Sequence, residues 1–235
     1  MNHLFLITSA IQTNFGKFDC DDRLLQTLNT IQSVYTYCPG AKVIVIESSG
    51  VKVEKTLMDR LSSVTTAVVD LSGNDVLKQI HDETDNWDLV KNLSEMLAFN
   101  TALVLLKDNG YLNDVDRVHK LSGRYKVNED FDMQVYEDNP KKIIVPMKLK
   151  TQFPDRAKIK HQYMSRLWSW PVSEYENIRK FYDQAITEFR QRMLAGEHVD
   201  LEHLMYHLLP KRKVHSVDII GVHGRLGQTN EFVRN

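Results

Sequence analysis

Lys42-Val-Ile-Val-Ile-Glu-Ser-Ser-Gly50, KVIVIESSG, is the stretch that decides the fold. Val43 to Ile46 is a β-branched run without polar alternation, so both of its faces must be covered, as in a strand with helices on either side. Just before it, Pro39-Gly40 stops a helix that Asp21-Asp22 can cap, with Leu24, Leu28, Ile31 and Tyr35 at helical spacing. Earlier still, Leu4 to Ile7 is a short apolar run ending in the polar Thr8-Ser9. On the other side, residues 53–61 (VEKTLMDRL) read as helix and 65–74 (TTAVVDLSGN) as a third strand ending near Asp70. Strand, helix, strand, helix, strand predicts an α/β fold with a mostly parallel sheet flanked by helices.

Further along, residues 75–88 (DVLKQIHDETDNWD) are polar and acidic and read as a mobile connection. Leu93, Met96, Leu97, Asn100, Leu103 and Val104 keep the spacing of an amphipathic helix closed by Asp108-Asn109-Gly110. A strand comes next at Val118 to Leu121, and MQVY (133–136) and KKIIVPM (141–147) read as strands of a β-rich second half. Past Trp170-Pro171 the chain turns helical, from about Glu174 to Leu194 and again from Asp200.

The chain has 235 residues, 30 basic and 31 acidic side chains and a net charge of -1, which argues against a dedicated nucleic-acid binder. Its two cysteines, Cys20 and Cys38, form neither a disulfide framework nor a zinc motif, which favours a reducing, cytoplasmic setting. The opening MNHLFLITSA is far shorter than the roughly 20 apolar residues that span a bilayer and lacks the form of a signal peptide. No other segment reads as membrane-spanning, so membrane contact is expected to be peripheral at most.

In an open α/β sheet the ligand crevice lies beyond the carboxyl ends of the strands, where strand order reverses. The candidates are therefore Thr8, Ser9, Glu47, Ser48, Asp70, Ser122, Gly123 and Arg124. Neither the glycine-rich dinucleotide fingerprint nor the phosphate-binding P-loop is present. His203 and His207 share a helix face, but no HExxH accompanies them, which makes a zinc hydrolase a poor reading.

Six segments together carry a family resemblance: ITS (7–9), VIVIESS (43–49), KNLSEMLAFNTAL (91–103), HKLSGRY (119–125), VDLEHLMYHLLP (199–210) and GVHGRLG (221–227). With them the chain resembles a GT-A-type glycosyltransferase, and more narrowly the small bacterial and viral sugar transferases with a lysine-x-serine-glycine-arginine-tyrosine block. The resemblance implies one GT-A-like domain over residues 1–235, with a nucleotide-sugar half (1–126) and an acceptor half (127–235) ending in helices. It implies transfer of a sugar from a nucleoside diphosphate sugar to a hydroxyl acceptor, a glycan or glycolipid. Glu47 would then meet base and ribose, and Lys91 and Lys120 the donor sugar or diphosphate. His223 would complete the diphosphate site, with Arg225 adding a second positive group.

Typical members hold a divalent metal with an Asp-x-Asp motif at the end of the fourth strand. Here Ser122-Gly123-Arg124 stands in that place. Asp114-Val115-Asp116 precedes the strand, and Asp130-Phe131-Asp132 lies several residues beyond it. The expectation is that no metal is required, because a guanidinium can balance the diphosphate; Mn or Mg held by Asp130 and Asp132 is the alternative. Glu202, in the first turn of a helix that Asp200 can cap, is the expected general base, its ionised form favoured by the helix N-terminus. Two other readings stay open: a nucleotidyltransferase, for which residues 7–18 (ITSAIQTNFGKF) would be a poor glycine-rich loop, and a catalytically inactive nucleotide-sugar binding module.

Overall fold

A computed structural model describes residues 1–13, 17–227 and 229–235, so part of the 7–18 loop lies outside the described residues. The first half is built from β1 (His3–Ser9), α1 (Cys20–Tyr37), β2 (Lys42–Glu47), α2 (Lys55–Ser62), β3 (Ala67–Asp70), α3 (Asp75–Glu83), α4 (Trp87–Asp108), β4 (Arg117–Ser122) and β5 (Tyr125–Val127). The second half adds α5 (Met133–Asp138), β6 (Ile143–Pro146), β7 (Leu149–Lys150), α6 (Pro154–Ala157), β8 (His161–Gln162) and β9 (Leu167–Pro171). It ends with α7 (Tyr175–Leu194), α8 (Leu201–Leu208), β10 (Val214–Val217), β11 (Val222–Arg225) and β12 (Phe232–Arg234).

The main sheet runs in the order β10-β6-β9-β4-β1-β2-β3. Only β9 is antiparallel to its neighbours. Its strands come from both sides of residue 126, while β5, β11 and β12 form a small sheet of their own. The polypeptide winds outward from β1 to β3 and then returns to place β4 on the other side of β1, so strand order reverses between β1 and β4.

Side-chain alternation explains why both faces are covered. In β1, Leu4 and Leu6 enter a core with α4, α7 and α8, in which Trp168, Trp170, Phe99 and Tyr182 pack. Phe5 and Ile7 enter the opposite core with Leu24, Ile31 and Val34 of α1 and with Tyr125 and Tyr136. The same alternation in β4 turns Val118 and Lys120 toward α4 and Leu121 toward α1.

Several sequence expectations change. Residues 75–88 are not a loose connection: Asn74 caps α3 through Val76 N, and Asn86 caps α4 through Leu89 N, so α4 begins six residues earlier than its apolar stripe. MQVY is helical, because Asp132 caps α5 through Gln134 N and Tyr136 is the one side chain of that helix that buries. The cap of α1 is Asp19, which accepts from Asp22 N, rather than Asp21-Asp22. Helix α4 is also long and apolar enough to cross a membrane by length and composition. It is the domain's own core helix, with Met96, Phe99, Ala102 and Leu106 fully buried.

A buried histidine pair on β1 and β4 makes the fold sensitive to acid. His3 Nδ1 lies 2.8 Å from His119 Nε2, and the His119 ring stacks on Phe5. Burial, with the N-terminal ammonium and Arg117 adding to it, pushes His3 down to about 4, and burial pushes His119 well below the usual histidine value. The unfolded chain takes up these protons near pH 6.5 while the folded chain refuses them. Stability is therefore full above pH 6.5 and falls as pH drops toward about 4, by roughly 3 kcal/mol for His3 alone. In thermal unfolding from pH 7.5 to 4.5, a His3→Leu/His119→Phe variant is expected to lose much of the acid limb; parallel curves would show that the pair does not cause it.

Candidate active site

The reversal between β1 and β4 opens a cleft at the carboxyl ends of these strands. Thr8 lies opposite Ser122 in the sheet register, and Gly123 N donates to Thr8 O at 2.8 Å. A Cβ on Gly123 would lie 2.9 Å from that carbonyl and 3.1 Å from Thr27 Oγ1, so only glycine lets the turn after β4 sit down on β1 and α1. Thr30 Oγ1 of α1 holds the same turn by donating to Gly123 O at 3.0 Å. Gly123→Ala is expected to push the turn off its seat, which thermal unfolding would register as a drop in Tm of several degrees. An unchanged Tm would show that the turn has slack.

The cleft has two lobes that open side by side. Trp87, Lys91, Glu95, Ser122 and Arg124 line both. The first lobe extends over Thr8, Ser9, Arg23 and Ser94, and the second toward Ser165, Arg166, Asp200 and Glu202.

The wall between them is a chain of charges on the α4 side. Lys120, fully buried, reaches Glu95 Oε1 at 2.6 Å and donates to Ser122 Oγ at 2.9 Å and Ser165 O at 3.0 Å. Burial by itself would raise the Glu95 carboxyl, but Lys120 and Lys91 together hold it below its usual value. For Lys91 burial works against the ammonium, and Glu202 and Glu95 outweigh it, so its pKa lies above that of an ordinary lysine.

Glu202 reaches this wall because α8 is tied to α4. Asp200 caps α8 through His203 N at 2.9 Å, and Leu201 N donates to Asn92 Oδ1 at 3.1 Å, one residue along from Lys91. Glu202 Oε1 accepts from Ser165 Oγ at 2.6 Å. Burial and the neighbouring Asp200 push its carboxyl up, against the pull of Lys91 and Ser165. The place of Glu202 in the first turn of α8 is as the sequence suggests, and the net direction there is upward.

Thr8, Ser9, Lys91, Ser122, Gly123, Arg124 and Glu202 therefore come together at one cleft, with Lys120 behind its wall. Four other candidates stand apart. Glu47 is fully buried, accepting from Ile11 N and Ser49 N, and ties the loops after β1 and β2 together without facing the cleft. Asp70, on the edge strand β3, pairs with Lys52 and Ser72. In β11 the alternation buries Val222 and Gly224 and turns His223 and Arg225 outward; His223 packs on Phe232, and Arg225 donates to Asn230 O.

Arg23, Ser94, Ser165 and Arg166 line the cleft without having been expected. Arg23 had a legible signal, since it opens the helix after the first strand end; its side chain is buried and donates to Phe18 O and Ala10 O.

No protein-family model matches the sequence, and no curated protein matches it. Solved structures do. Galactosyltransferase LgtC, in complex with donor and acceptor sugar analogs, superposes with a TM-score of 0.55 at 10% identity, over 92% of this chain and 73% of that one. Core-mannan synthase A (CmsA/Ktr4) from Aspergillus fumigatus, in its Mn/GDP form, gives 0.52 at 9% identity, over 92% and 72%. The mannosyltransferase Ktr4p from S. cerevisiae gives 0.53 at 9% identity, over 92% and 68%. The chain has the GT-A fold.

One of these GT-A neighbours was solved with Mn, which makes the donor set of the present cleft worth testing. Among the described residues no three His, Cys, Asp or Glu side chains converge. Of the carboxylates lining the cleft, three are engaged: Glu95 by Lys120, Asp200 by His203 and the α8 cap, and Glu202 by Ser165. The side chain of Asp88, at the mouth of the second lobe, is 45% exposed and has His198 only at 3.9 Å. Asp130 pairs with Arg234, Asp132 caps α5, and Asp116 lies at the opposite end of β4, where it accepts from Asn2 N. His203 Nε2 meets Thr151 at 2.8 Å and His207 faces Glu188, so the two do not share a ligand. As they are arranged, the side chains of the described residues form no three-ligand site for a divalent ion.

Proposed function

We propose that the protein transfers a sugar from a nucleoside diphosphate sugar to a hydroxyl of a glycan or glycolipid acceptor. The strongest support is a single cleft at the β1/β4 reversal whose lobes share Lys91 and Arg124, with Glu202 in the second lobe alone. The donor lies in the first lobe over Thr8, Ser9 and the Ser122–Arg124 turn. The acceptor enters the second.

The chemistry comes from the charges. As the sugar–phosphate bond breaks, the diphosphate leaves with the electron pair, and negative charge grows on its oxygens. Arg124 can grip two of them at once, and Lys91 adds a point charge from the wall. The acceptor oxygen forms the new bond to the anomeric carbon from the opposite side, inverting it, and its proton passes to Glu202. Burial raises the basicity of that carboxylate, and the Ser165 hydroxyl fixes its orientation.

A panel of nucleoside diphosphate sugars, assayed for nucleoside diphosphate release with acceptor and with a chelator present, tests the proposal. Release from at least one donor is expected, and the chelator is expected to leave most of the rate. Binding without release would mark a binding module. Loss of the rate with chelator, restored by Mn or Mg, would show that cleft carboxylates such as Glu95 trade their lysine for a metal.

A further inference from the structure

We propose that the β7–β8 hairpin, with Lys211-Arg212 beside it, docks on an anionic lipid bilayer and so holds the acceptor lobe at the membrane interface. Lys148, Lys150 and Lys160 lie on or next to the paired strands, Arg156 and Lys158 at the hairpin tip, and Lys211-Arg212 alongside. Against these seven basic residues, residues 147–160 and 211–212 hold one acid, Asp155. With Asp218, exposed on the neighbouring loop, the surface carries +5 in a chain of net charge -1, leaving -6 for the rest of the molecule.

Two observations separate this surface from an ordinary solvated face. All seven basic residues are exposed. Exposed bases without an ion pair occur elsewhere too, Lys42, Lys55 and Lys126 among the described residues, but here seven gather in two short segments, with the Lys211 ammonium 3.7 Å from the centroid of the Tyr206 ring. The second is that the same segments also expose apolar side chains. Met147 is 46% exposed, Leu149 37%, Phe153 47%, and Ile219 60%; Met147 N bonds Val217 O, which brings the Ile219 loop to the same edge. A nucleic-acid backbone needs the cations but has no use for exposed Met, Leu, Phe and Ile. A bilayer interface takes both, phosphate headgroups pairing with the lysines and the acyl boundary accepting the apolar groups.

The location gives the surface its role. Strand β8 packs against α8, Tyr163 N donates to Glu202 O at 3.1 Å, and the chain continues through Ser165 and Arg166 into the wall of the second lobe. A bilayer on this hairpin presents a lipid-linked hydroxyl toward Glu202. That acceptor class rests on the transferase reading, whereas the docking itself does not.

Flotation with vesicles of phosphatidylcholine, alone or mixed with phosphatidylglycerol, at low and high salt, tests the docking. The wild type is expected to float with the mixed vesicles only, and less so as salt rises. Lys148→Glu/Lys150→Glu/Lys160→Glu is expected to weaken binding by at least about a hundredfold, given roughly fivefold per basic residue near an anionic surface, with circular dichroism and nucleoside diphosphate release in solution unchanged. Leu149→Ser/Phe153→Ser supplies a second variant that leaves the charges in place, and a several-fold loss is expected there. Absent binding, binding indifferent to phosphatidylglycerol, or duplex DNA bound in preference to vesicles would each overturn the proposal. Since docking and release are read separately, failure of one is distinguishable from failure of the other.

Discussion

Replacing Glu202 by Gln is expected to lower transfer by about a hundredfold or more while leaving donor affinity where it was. The amide keeps the size of the side chain and its contact with Ser165 Oγ, 2.6 Å away in the native protein, but it cannot take the acceptor's proton. The bland role for Glu202, complementing the N-terminus of α8, is worth under about 1 kcal/mol and would show as a loss of stability instead of rate. Thermal unfolding of the variant separates the two. Asp200 is a poor substitute base, since its carboxylate is committed to His203 N and Nδ1. If the variant transfers normally with acceptor saturating, Glu202 is not the base, and a front-face, retaining displacement becomes the better account.

Arg124→Ala should cost roughly 3 to 4 kcal/mol of transition-state stabilisation, a factor of several hundred in kcat/KM, if the guanidinium carries the leaving diphosphate's charge. The side chain is well placed for that. It comes directly after the Gly123 turn, lines both lobes, and has a buried Nε without a hydrogen-bond partner, as expected of a group waiting for an anion. An arginine serving only a surface ion pair would cost under about 1 kcal/mol and leave the kinetics alone. Arg124→Lys is informative beside it: the charge survives and the two-pronged grip does not, so partial recovery is expected. A donor Kd and a kcat/KM both unchanged in Arg124→Ala would remove this residue from the mechanism.

The parallel sheet was legible because Val43 to Ile46 is a short run, β-branched throughout and preceded by Pro39-Gly40, which separates a doubly buried strand from a buried helix. The strand-end rule then reached Thr8, Ser9 and Ser122 to Arg124, because parallel strands put their carboxyl ends on one side of the sheet. Elements held by caps were harder. Helix α3 and the start of α4 rest on Asn74 and Asn86, and α5 on Asp132, each a single polar side chain that caps a helix only if the next residues turn helical.

The rest of the cleft depends on contacts far apart in sequence. Ser165 comes from the segment before β9, and Glu202 arrives through the bond between α8 and Asn92, 109 residues away from Leu201. Four residues apart on α4, Lys91 and Glu95 have the spacing of an ordinary helix ion pair, but the fold gives Glu95 to Lys120, and Lys91 feels both Glu202 and Glu95. His223 and Arg225 show the converse. Their letters suit a diphosphate, but the alternation of β11 buries Val222 and Gly224 and turns both side chains away.

A structure with bound donor tests the central claim most directly, using whichever nucleoside diphosphate sugar binds best in calorimetric titration. The account predicts the diphosphate between the ends of β1 and β4, against the Ser122–Arg124 turn and within reach of Arg124 and Lys91, with the anomeric carbon facing the Glu202 lobe. A nucleotide bound away from that turn would contradict it.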